Sequence, residues 1–378
     1  MPEQLRNASG IGSARPPNTL LTNLGGRVPR LPSPHIGEAV GSARPPPSIT
    51  TYAPCHAAID VAGGPNITAH ILITGAAGLI GTAARTHFAS AGWEVSTLDK
   101  KSQDLDGRSM DYVGDIVDYN GLSDALSGVD GVLHLAAVSR VIDAELDKVE
   151  CTRVNVQGTS RVLEEASQAG CKWFIFGSSR EIYGEPTSFP VKEEDGVNPI
   201  NHYGHAKVEG ERMVHEHCEK HGMAHSNLRF SNVYGHPGDH PTRLVNAFLR
   251  RALKSEPLEI HGGGQVFDFT HLDDTVSAVF KAAETLHEKR ISLPPIHVLP
   301  GTPVSIEDLA RHVLEITGSK SIVTYTEGRD YDVERFHGDP SSLRKLLGHE
   351  CHVDIRTGLQ RSAALFRNHF ATNEGDVE

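Results

Sequence analysis

A buried strand that runs directly into a glycine-rich turn and a helix is the feature that most restricts how this chain can fold. The segment AHILITG, which starts at Ala69, is apolar and ends in glycine, and LIGTAARTHFASAG follows it with apolar residues at helical spacing. WEVSTLD, DGVLHLAA, KWFIFGSS and HSNLRFSNVYG are further predicted strands, with helices predicted around 152–169 and 202–221. Strands that alternate with helices form a parallel sheet covered on both faces. The sequence therefore predicts an α/β fold built on a doubly wound parallel sheet.

The chain divides into three parts by its sequence pattern. Residues 1–65 hold 11 of the 22 prolines, five arginines and no lysine, so a disordered Pro/Arg-rich extension is predicted over 1–68. An organelle transit peptide is the alternative, although this proline density opposes the amphipathic helix that such peptides form. Residues 69–235 carry the strand–helix alternation. The shorter, mixed pattern of 236–378 predicts a smaller mixed α/β lobe that binds substrate, with segments that return to the main sheet.

Charge and cysteine usage limit the partners and the compartment. The net charge is −12 and there is no long basic run, so neither nucleic acid nor an anionic membrane is expected as a partner. No apolar stretch approaches the ~20 residues that span a membrane. The five cysteines are scattered and form no CxxC motif, which is typical of free thiols in a reducing compartment. A cytoplasmic location is therefore expected.

The glycines of ITGAAGLIG predict a dinucleotide site. Gly75, Gly78 and Gly81 lie where the first strand ends and the first helix begins, so the backbone can approach a pyrophosphate at a helix N-terminus. This context indicates a Rossmann-type domain. Asp99 ends the second strand 18 residues after Gly81, where a carboxylate would bind ribose hydroxyls and repel a 2′-phosphate. NAD is therefore predicted over NADP, although the two lysines after Asp99 weaken that preference.

Three side chains downstream predict hydride-transfer chemistry. Tyr203 and Lys207 in YGHAK are four residues apart and share one face of a helix. A tyrosine with a pKa of ~10 is a poor base at neutral pH, and a neighbouring ammonium group is expected to lower that pKa. Ser179, at the end of a predicted strand, would hydrogen-bond the substrate oxygen as its proton leaves. Such a trio suits hydride transfer between a carbinol and a nicotinamide.

From about residue 70 to 369 the chain resembles an extended short-chain dehydrogenase/reductase of the NAD-dependent epimerase/dehydratase family of nucleotide-sugar enzymes. The motifs that carry the resemblance occur in the family's order and are TGAAGLIG, GDI, LHLAAVS, NVQGT, SSREIYG, YGHAK, LRFSNVYG and FDFTHLDD. The resemblance implies NAD as the cofactor, a nucleotide sugar as the substrate and a homodimer.

The resemblance also assigns residues to the site. Those implied at the cofactor are Gly75, Ala77, Gly78, Leu79, Ile80, Gly81, Asp99, Asp115, Ile116, Leu135, Ala136, Ala137, Asn155, Tyr203 and Lys207. Those implied at the substrate are Ser139, Ser179, Asn232, Arg243 and Arg329. An arginine fork suits the diphosphate. The chain departs from the family at Phe267, where an arginine usually precedes aspartate, so one phosphate contact is missing or is supplied elsewhere, for example by Arg243.

Four functions are compatible with these motifs. The first is an epimerase that acts through a transient 4-keto sugar, with Tyr203 as base and NAD as hydride carrier. The second is a decarboxylase or dehydratase in which Glu181 is catalytic. In the family's dehydratases, an acid and a base occupy the places of Arg180 and Glu181, and a guanidinium cannot donate a proton usefully near neutral pH. The others are an NAD-binding regulatory protein and a reductase of a non-sugar carbonyl.

A histidine-rich segment does not lead us to expect a metal site. HEHCEKH places His217 and His221 on one helix face, a spacing that can hold zinc. The segment forms the polar end of the helix that carries Tyr203 and Lys207, however, so we interpret it as a solvated face and expect no bound metal.

Overall fold

Seven parallel strands form the central sheet of the structure, a computed structural model that describes residues 69–373. The described residues form fourteen strands in all, which are β1 (His70–Thr74), β2 (Glu94–Asp99), β3 (Tyr112–Val113), β4 (Gly131–His134), β5 (Trp173–Ser179), β6 (Ala224–Phe230), β7 (Asn232–Tyr234), β8 (Leu258–His261), β9 (Val266–Phe267), β10 (Phe269–His271), β11 (Ile296–Val298), β12 (Val304–Ser305), β13 (Val323–Thr326) and β14 (Arg335–Phe336). The central sheet has the order β11-β6-β5-β4-β1-β2-β3. The predicted doubly wound parallel sheet is confirmed.

Helices connect these strands. They are α1 (Leu79–Ser90), α2 (Leu122–Ala125), α3 (Val141–Leu146), α4 (Lys148–Thr152), α5 (Thr159–Gln168), α6 (His202–His221), α7 (Leu244–Leu253), α8 (Leu272–Lys289), α9 (Ile306–Thr317), α10 (Ser341–Leu347) and α11 (Ile355–Asn373). A π-helical segment, Arg153–Gly158, joins α4 to α5, and a 3-10 turn, Arg180–Tyr183, follows β5. The helix predicted around 202–221 is observed as α6, whereas the one predicted around 152–169 starts earlier, in α4.

Alternating side chains of the strands serve two separate cores. In β1, Ile71 and Ile73 belong to the core that α1 and α8 cover, whereas Leu72 belongs to the core that α2, α5 and α6 cover. In β5, Ile175 belongs to the first of these cores and Phe174 to the second. A strand buried on both faces needs apolar residues at successive positions, which explains why these strands appear as continuous apolar runs in the sequence.

The strand order reverses beside β1. From β1 the sheet extends through β2 to β3 on one side, and through β4, β5 and β6 to β11 on the other. Helices that leave β1 and β4 therefore lie on opposite faces, and a crevice opens between them at the carboxyl ends of the two strands. Ligands of open α/β sheets bind in this crevice.

The C-terminal part of the chain contributes both to the main sheet and to a separate core. Strand β11 pairs with β6, and α8 packs against α1. The short sheets β10-β7, β12-β9-β14 and β13-β8 surround a second apolar cluster that includes Phe248, Phe336 and Phe366. None of the helices within the described residues is long and apolar enough to cross a bilayer. The extension predicted over 1–68 lies outside the described residues, as do 374–378.

Candidate active site

A cavity of about 970 Å³ opens at the carboxyl ends of β1, β2, β4, β5 and β6. It brings together residues that are far apart in the sequence. The predicted site residues that line it are Gly75, Ala77, Gly78, Leu79, Ile80, Gly81, Asp99, Asp115, Ile116, Leu135, Ala136, Ala137, Ser139, Ser179, Glu181, Tyr203, Lys207, Asn232, Arg243 and Arg329.

Asn155 is the predicted cofactor residue that does not line the cavity. Its side chain is buried in the π-helical segment, where Oδ1 accepts a hydrogen bond from the backbone N–H of Val138 at 2.7 Å. Its Nδ2 donates to the carbonyl oxygen of Val138 at 3.0 Å. Val138 itself lines the cavity. Asn155 therefore fixes the backbone that forms the wall, and its direct contact with the cofactor stays a prediction.

The glycine turn brings the backbone of β1 against that of β4. Gly75 has φ of +71°, and a Cβ atom there would lie 2.6 Å from the backbone nitrogen of Ala136. Both the left-handed conformation and the close contact require glycine. Helix α1 then starts at Leu79 without a side-chain cap. Its first backbone N–H groups and the helix dipole favour an anion at this end of the cavity.

The Asp99 carboxylate is held at the edge of this turn. Its Oδ2 accepts a hydrogen bond from the backbone N–H of Ala77 at 3.0 Å, and its Oδ1 accepts one from Lys101 at 2.9 Å. The carboxylate thus has a fixed orientation at the end of β2 and lines the cavity next to the glycine turn. The turn, the helix start and this carboxylate together fit the pyrophosphate and adenosine ribose of a dinucleotide.

Helix α6 carries the candidate base. Asn201 caps the helix, because its Oδ1 accepts a hydrogen bond from the backbone N–H of Gly204 at 2.8 Å. Gly204 lets the first turn approach the end of β5 closely: a Cβ atom there would lie 2.5 Å from the carbonyl oxygen of Glu181. Tyr203, in the same turn, is 9% exposed and lines the cavity. The cap and the glycine contact therefore fix where the tyrosine lies.

Lys207 lies one helical turn after Tyr203 and is almost fully buried. Its Nζ donates a hydrogen bond to the carbonyl oxygen of Gly177 at 2.6 Å and lies 5.7 Å from the centre of the Tyr203 ring. The Phe176 ring is closer, at 4.7 Å. Burial lowers the pKa of Lys207 from its usual 10.5 to about 8. The ammonium group is therefore held by a backbone carbonyl and an aromatic face rather than by a carboxylate.

Burial dominates the ionisation of Tyr203. It raises the pKa of the phenol to about 12, although the Arg243 guanidinium and an interaction with Ser179 act in the opposite direction. The expectation that Lys207 lowers this pKa toward neutrality is wrong, because burial has the larger effect. Removing the phenol from water disfavours the phenolate by more than the surrounding charges favour it. A further positive charge is needed before Tyr203 can act as a base near neutral pH.

Both carboxylate oxygens of Glu181 have partners. Oε1 forms an ion pair with Nη2 of Arg180 at 2.9 Å, and Oε2 accepts a hydrogen bond from Nδ2 of Asn201 at 2.8 Å. The residue is 7% exposed. Because Asn201 also caps α6, Glu181 connects the end of β5 to the start of the helix that carries Tyr203. Sequence reasoning missed Asn201, although an asparagine just before a helical segment is a typical cap signal.

Position 267 supplies a stacking surface instead of the family's charge. The Phe267 ring is buried, and Cζ of Arg180 lies 4.2 Å from its centre. Arg243 donates from Nη2 to Oγ of Ser139 at 3.0 Å. Arg329 lies farther along the cavity wall. The stacked pair of Arg180 and Phe267 could not be found from the sequence, since the two residues belong to separate segments.

The histidine-rich end of α6 lies away from the cavity. His217 and His221 stack on each other with ring centres 4.3 Å apart, and His217 contacts Ser167. A different trio, His215, Glu219 and His225, has potential ligand atoms within 4.8 Å of one another. His225 comes from β6, so the spacing along α6 gave no signal for it.

A parallel sheet with a dinucleotide crevice and a Ser–Tyr–Lys group beside it defines a nicotinamide-dependent α/β enzyme. The model of the NAD dependent epimerase/dehydratase family matches residues 71–293, and the chain belongs to this family. The resemblance predicted from the motifs is thus confirmed. The family uses NAD, so NAD is the cofactor.

Similar proteins carry out several reactions. A UDP-glucose 4-epimerase of Lacticaseibacillus casei is 33% identical over 306 residues, which cover 75% of this chain and 92% of that protein. A dTDP-glucose 4,6-dehydratase of Streptomyces griseus is 28% identical over 319 residues, which cover 80% and 95%. UDP-glucuronic acid decarboxylases are also among the relatives.

Solved structures of MoeE5 are similar as well, one in complex with UDP-glucuronic acid and NAD and the other with UDP-glucose and NAD. Each has a TM-score of 0.74 and 30% identity, and the match covers 79% or 80% of this chain and 99% of MoeE5. These relatives support an enzyme that uses NAD and acts on nucleotide sugars.

Proposed function

We propose that the protein is an NAD-dependent nucleotide-sugar 4-epimerase. The observation that carries the proposal is the convergence of Ser179, Tyr203 and Lys207 on one cavity wall, next to the glycine turn. Glu181, the group that a lyase would use, has both carboxylate oxygens engaged by neighbouring side chains. Among the described residues, the cavity therefore offers Tyr203 as a candidate proton acceptor for a hydroxyl group, whereas the Glu181 carboxylate is already engaged.

Each side chain has a defined task in this reaction. NAD held by the glycine turn and Asp99 would supply the hydride acceptor and donor for C4 of the sugar, and its positive charge would favour the phenolate form of Tyr203. Tyr203 takes the proton of the C4 hydroxyl as the C4–H bond breaks, and gives it back when the C4–H bond re-forms on the other face. Ser179 hydrogen-bonds the same oxygen. Lys207 keeps a positive charge one helical turn from the phenol.

The nucleotide diphosphate needs cations in the same cavity. Arg243 and Arg329 both line it, and their guanidinium groups suit a diphosphate. Neither is locked in a tight buried ion pair: Nε of Arg243 lies 3.3 Å from Asp239, and Nη1 of Arg329 lies 3.8 Å from Asp332. These contacts leave donors for phosphate oxygens and support a nucleotide-sugar substrate despite phenylalanine at position 267.

A lyase is the second candidate, because Glu181 lines the cavity and is close enough to Tyr203 to raise the pKa of the phenol. Dehydration also requires an acid to protonate the leaving hydroxide. The adjacent position holds Arg180, whose guanidinium does not lose a proton near neutral pH. Decarboxylation needs no such acid, so the experiment must detect it directly.

The test is to incubate the NAD-loaded protein with UDP-hexoses and UDP-uronic acids in heavy water, and to follow products by mass spectrometry and proton NMR. We expect inversion at C4, no change in mass and no deuterium at C5. Tyr203→Phe should abolish turnover and leave NAD affinity nearly unchanged, because the hydroxyl acts on a proton in transfer rather than on the resting cofactor.

Other outcomes would contradict the proposal. Deuterium at C5, or carbon dioxide whose release stops in Glu181→Gln, would identify a lyase. Stoichiometric release of NAD with a reduced product would identify a one-way reductase. NAD binding without turnover of any sugar would favour a regulatory protein, and a Tyr203→Phe enzyme with a near-normal rate would place the site elsewhere.

A further inference from the structure

Arg180 is a buried cation with an unused donor at the wall of the substrate cavity. The residue is 8% exposed and lines the cavity at the end of β5. Its Nη2 pairs with Oε1 of Glu181 at 2.9 Å, but its Nη1 is buried and has no hydrogen-bond partner. Most buried polar atoms in proteins have a partner, so an unsatisfied guanidinium nitrogen at a ligand cavity indicates a missing acceptor.

The surroundings fix the guanidinium without satisfying it. The Phe267 ring lies 4.2 Å from Cζ and offers a stacking face but no hydrogen-bond acceptor. Asp268 also has a buried oxygen without a partner, yet it is fully buried and does not line the cavity. The Asp332 carboxylate also lines the cavity; it pairs with Nη1 of Arg329 at 3.8 Å and interacts electrostatically with Arg180. Because part of the Arg180 side chain lines the cavity, a ligand bound there can offer the guanidinium group a further acceptor.

The position of Arg180 indicates which part of a sugar it would contact. It directly follows Ser179, whose hydroxyl, with that of Tyr203, marks the subsite for the reacting C4 oxygen. The diphosphate is attached to C1, across the sugar ring from C4. The substituent of C5, by contrast, is next to C4. A cation beside the C4 subsite can therefore bind a negatively charged substituent on C5 more readily than the diphosphate.

We propose that Arg180, oriented by Phe267, binds a carboxylate on C5 of the sugar, so that the preferred substrate class is a nucleotide uronic acid. The inference rests on the proposed function, because it takes the reacting carbon to lie between Ser179 and Tyr203. Arginine suits this task, since its planar fork can pair with Glu181 through one nitrogen and with a second carboxylate through another. Glu181 then balances the guanidinium when the subsite holds no ligand.

The same contact bears on the choice between epimerase and decarboxylase. Loss of carbon dioxide from a 4-keto uronate breaks the bond between C5 and the carboxylate carbon, and the electron pair moves toward the C4 carbonyl. The negative charge therefore leaves the carboxylate as this bond breaks. A guanidinium held against the carboxylate stabilises the reactant more than the transition state, which opposes this step. Arg180 consequently favours retention of the carboxylate during inversion at C4.

A substrate series with the wild-type holoenzyme gives the primary test. The kcat/KM values are measured for a UDP-uronic acid, for its uronamide, in which a neutral amide replaces the carboxylate, and for the parent UDP-hexose. We expect the uronic acid to be preferred over the uronamide by about 100-fold, in the range of measured losses when one partner of a buried charge pair is removed. Equal kcat/KM values for the acid and the amide would overturn the inference.

Variants locate the effect. In Arg180→Met the ratio of kcat/KM for uronic acid over hexose should fall by at least about 30-fold, mainly through KM for the acid. Arg180→Lys should lose part of the preference, because it keeps the charge without the fork. Arg311→Met is the matched control: it removes an arginine paired with Asp308 at 2.7 Å on the exposed face of α9, and its ratio should stay at the wild-type value. An unchanged ratio in Arg180→Met would overturn the inference.

Failure of the inference and failure of the proposed function give different results. If wild-type protein inverts C4 of hexoses and uronates without regard to charge, the carboxylate subsite is refuted and the epimerase proposal stands. If no nucleotide sugar is turned over and no transient absorbance of reduced cofactor appears, the proposed function fails. Should Arg180→Met not fold, the wild-type series alone decides.

Discussion

Three charged side chains at the cavity wall are largely shielded from water. Lys207 is 4% exposed, Arg180 8% and Glu181 7%. Ionised groups at such depth are costly unless they are paired, and only the last two pair with each other. Buried ionised groups at a cavity are typical of active sites, where a group needed for function is kept although it lowers the stability of the fold.

Lys207→Met tests this trade-off. Burial lowers the pKa of Lys207 to about 8, from 10.5 when exposed, so the unfolded chain binds more protons between these values. The free energy of unfolding of the wild type should therefore rise as the pH increases from about 8 to 10.5. Below pH 8 the buried ammonium group lowers it by the full amount. We expect Lys207→Met to be inactive and to bind NAD more weakly, yet to be more stable at pH 7 by up to about 3 kcal/mol. Thermal unfolding at pH 7 and pH 10 measures the difference, which should shrink at the higher pH.

A second residue-scale prediction concerns cofactor choice. Asp99 is held by two backbone N–H groups, so its charge cannot turn away from a 2′-phosphate. We expect NAD to bind at least about tenfold more tightly than NADP, a difference of roughly 1.4 kcal/mol. Calorimetry on the wild-type protein measures both dissociation constants, and Asp99→Asn should narrow the gap. Equal constants in the wild type would show that Lys100 and Lys101 outweigh the carboxylate.

At the scale of elements, the junction between β5 and α6 sets the geometry of the site. The 3-10 turn after β5 places Arg180 and Glu181 on the cavity wall, and the start of α6 places Tyr203. Asn201 joins the two, because one side chain caps the helix and binds Glu181. The buried amide of Asn201 therefore helps to set the position of Tyr203, the candidate base, relative to Ser179.

Asn201→Ala should weaken this junction. Loss of the cap costs about 1 kcal/mol, and the Glu181 carboxylate also loses a donor, so both melting temperature and kcat should fall. Asn201→Ser is the matched control, since serine can cap the helix but cannot reach Glu181 in the same way. It should recover most of the melting temperature and less of the activity. Equal activity of all three proteins would mean that Glu181 does not influence the base through this contact.

At the scale of the whole molecule, the described residues that line the candidate site all follow residue 69. The central sheet starts with β1 at His70 and is completed by β11, which pairs with β6. The C-terminal segments both extend the sheet and supply Arg329 to the cavity. The homodimer and the separate substrate-binding lobe stay predictions from the sequence.

Deletion of residues 1–65 tests whether the N-terminal part contributes to this unit. Its high proline content and the lack of a sustained apolar period do not predict a packed core, so we expect the shortened protein to keep its melting temperature and activity. Differential scanning fluorimetry and the C4 inversion assay measure both. A large drop in melting temperature would show that the segment packs on the rest of the chain.

The sequence by itself determined the features that depend on local pattern. Apolar runs bounded by glycine located the strands, helical spacing located α6, and the glycine turn with Asp99 and the pair Tyr203–Lys207 pointed to residues that the fold brings to one cavity. The sequence predicts these features because each depends on neighbouring residues, or on the rule that the carboxyl ends of parallel strands lie at one edge of the sheet.

Only the tertiary structure decided how distant side chains meet. Asn155 turns to the backbone of Val138, Arg180 stacks on Phe267, and burial raises the pKa of Tyr203 to about 12. None of these follows from spacing along the chain, because each depends on the paths of loops that connect separate segments and on how much water they exclude. Desolvation and stacking are properties of the assembled cavity, so the sequence could predict candidate reacting groups but not their charge states or their partners.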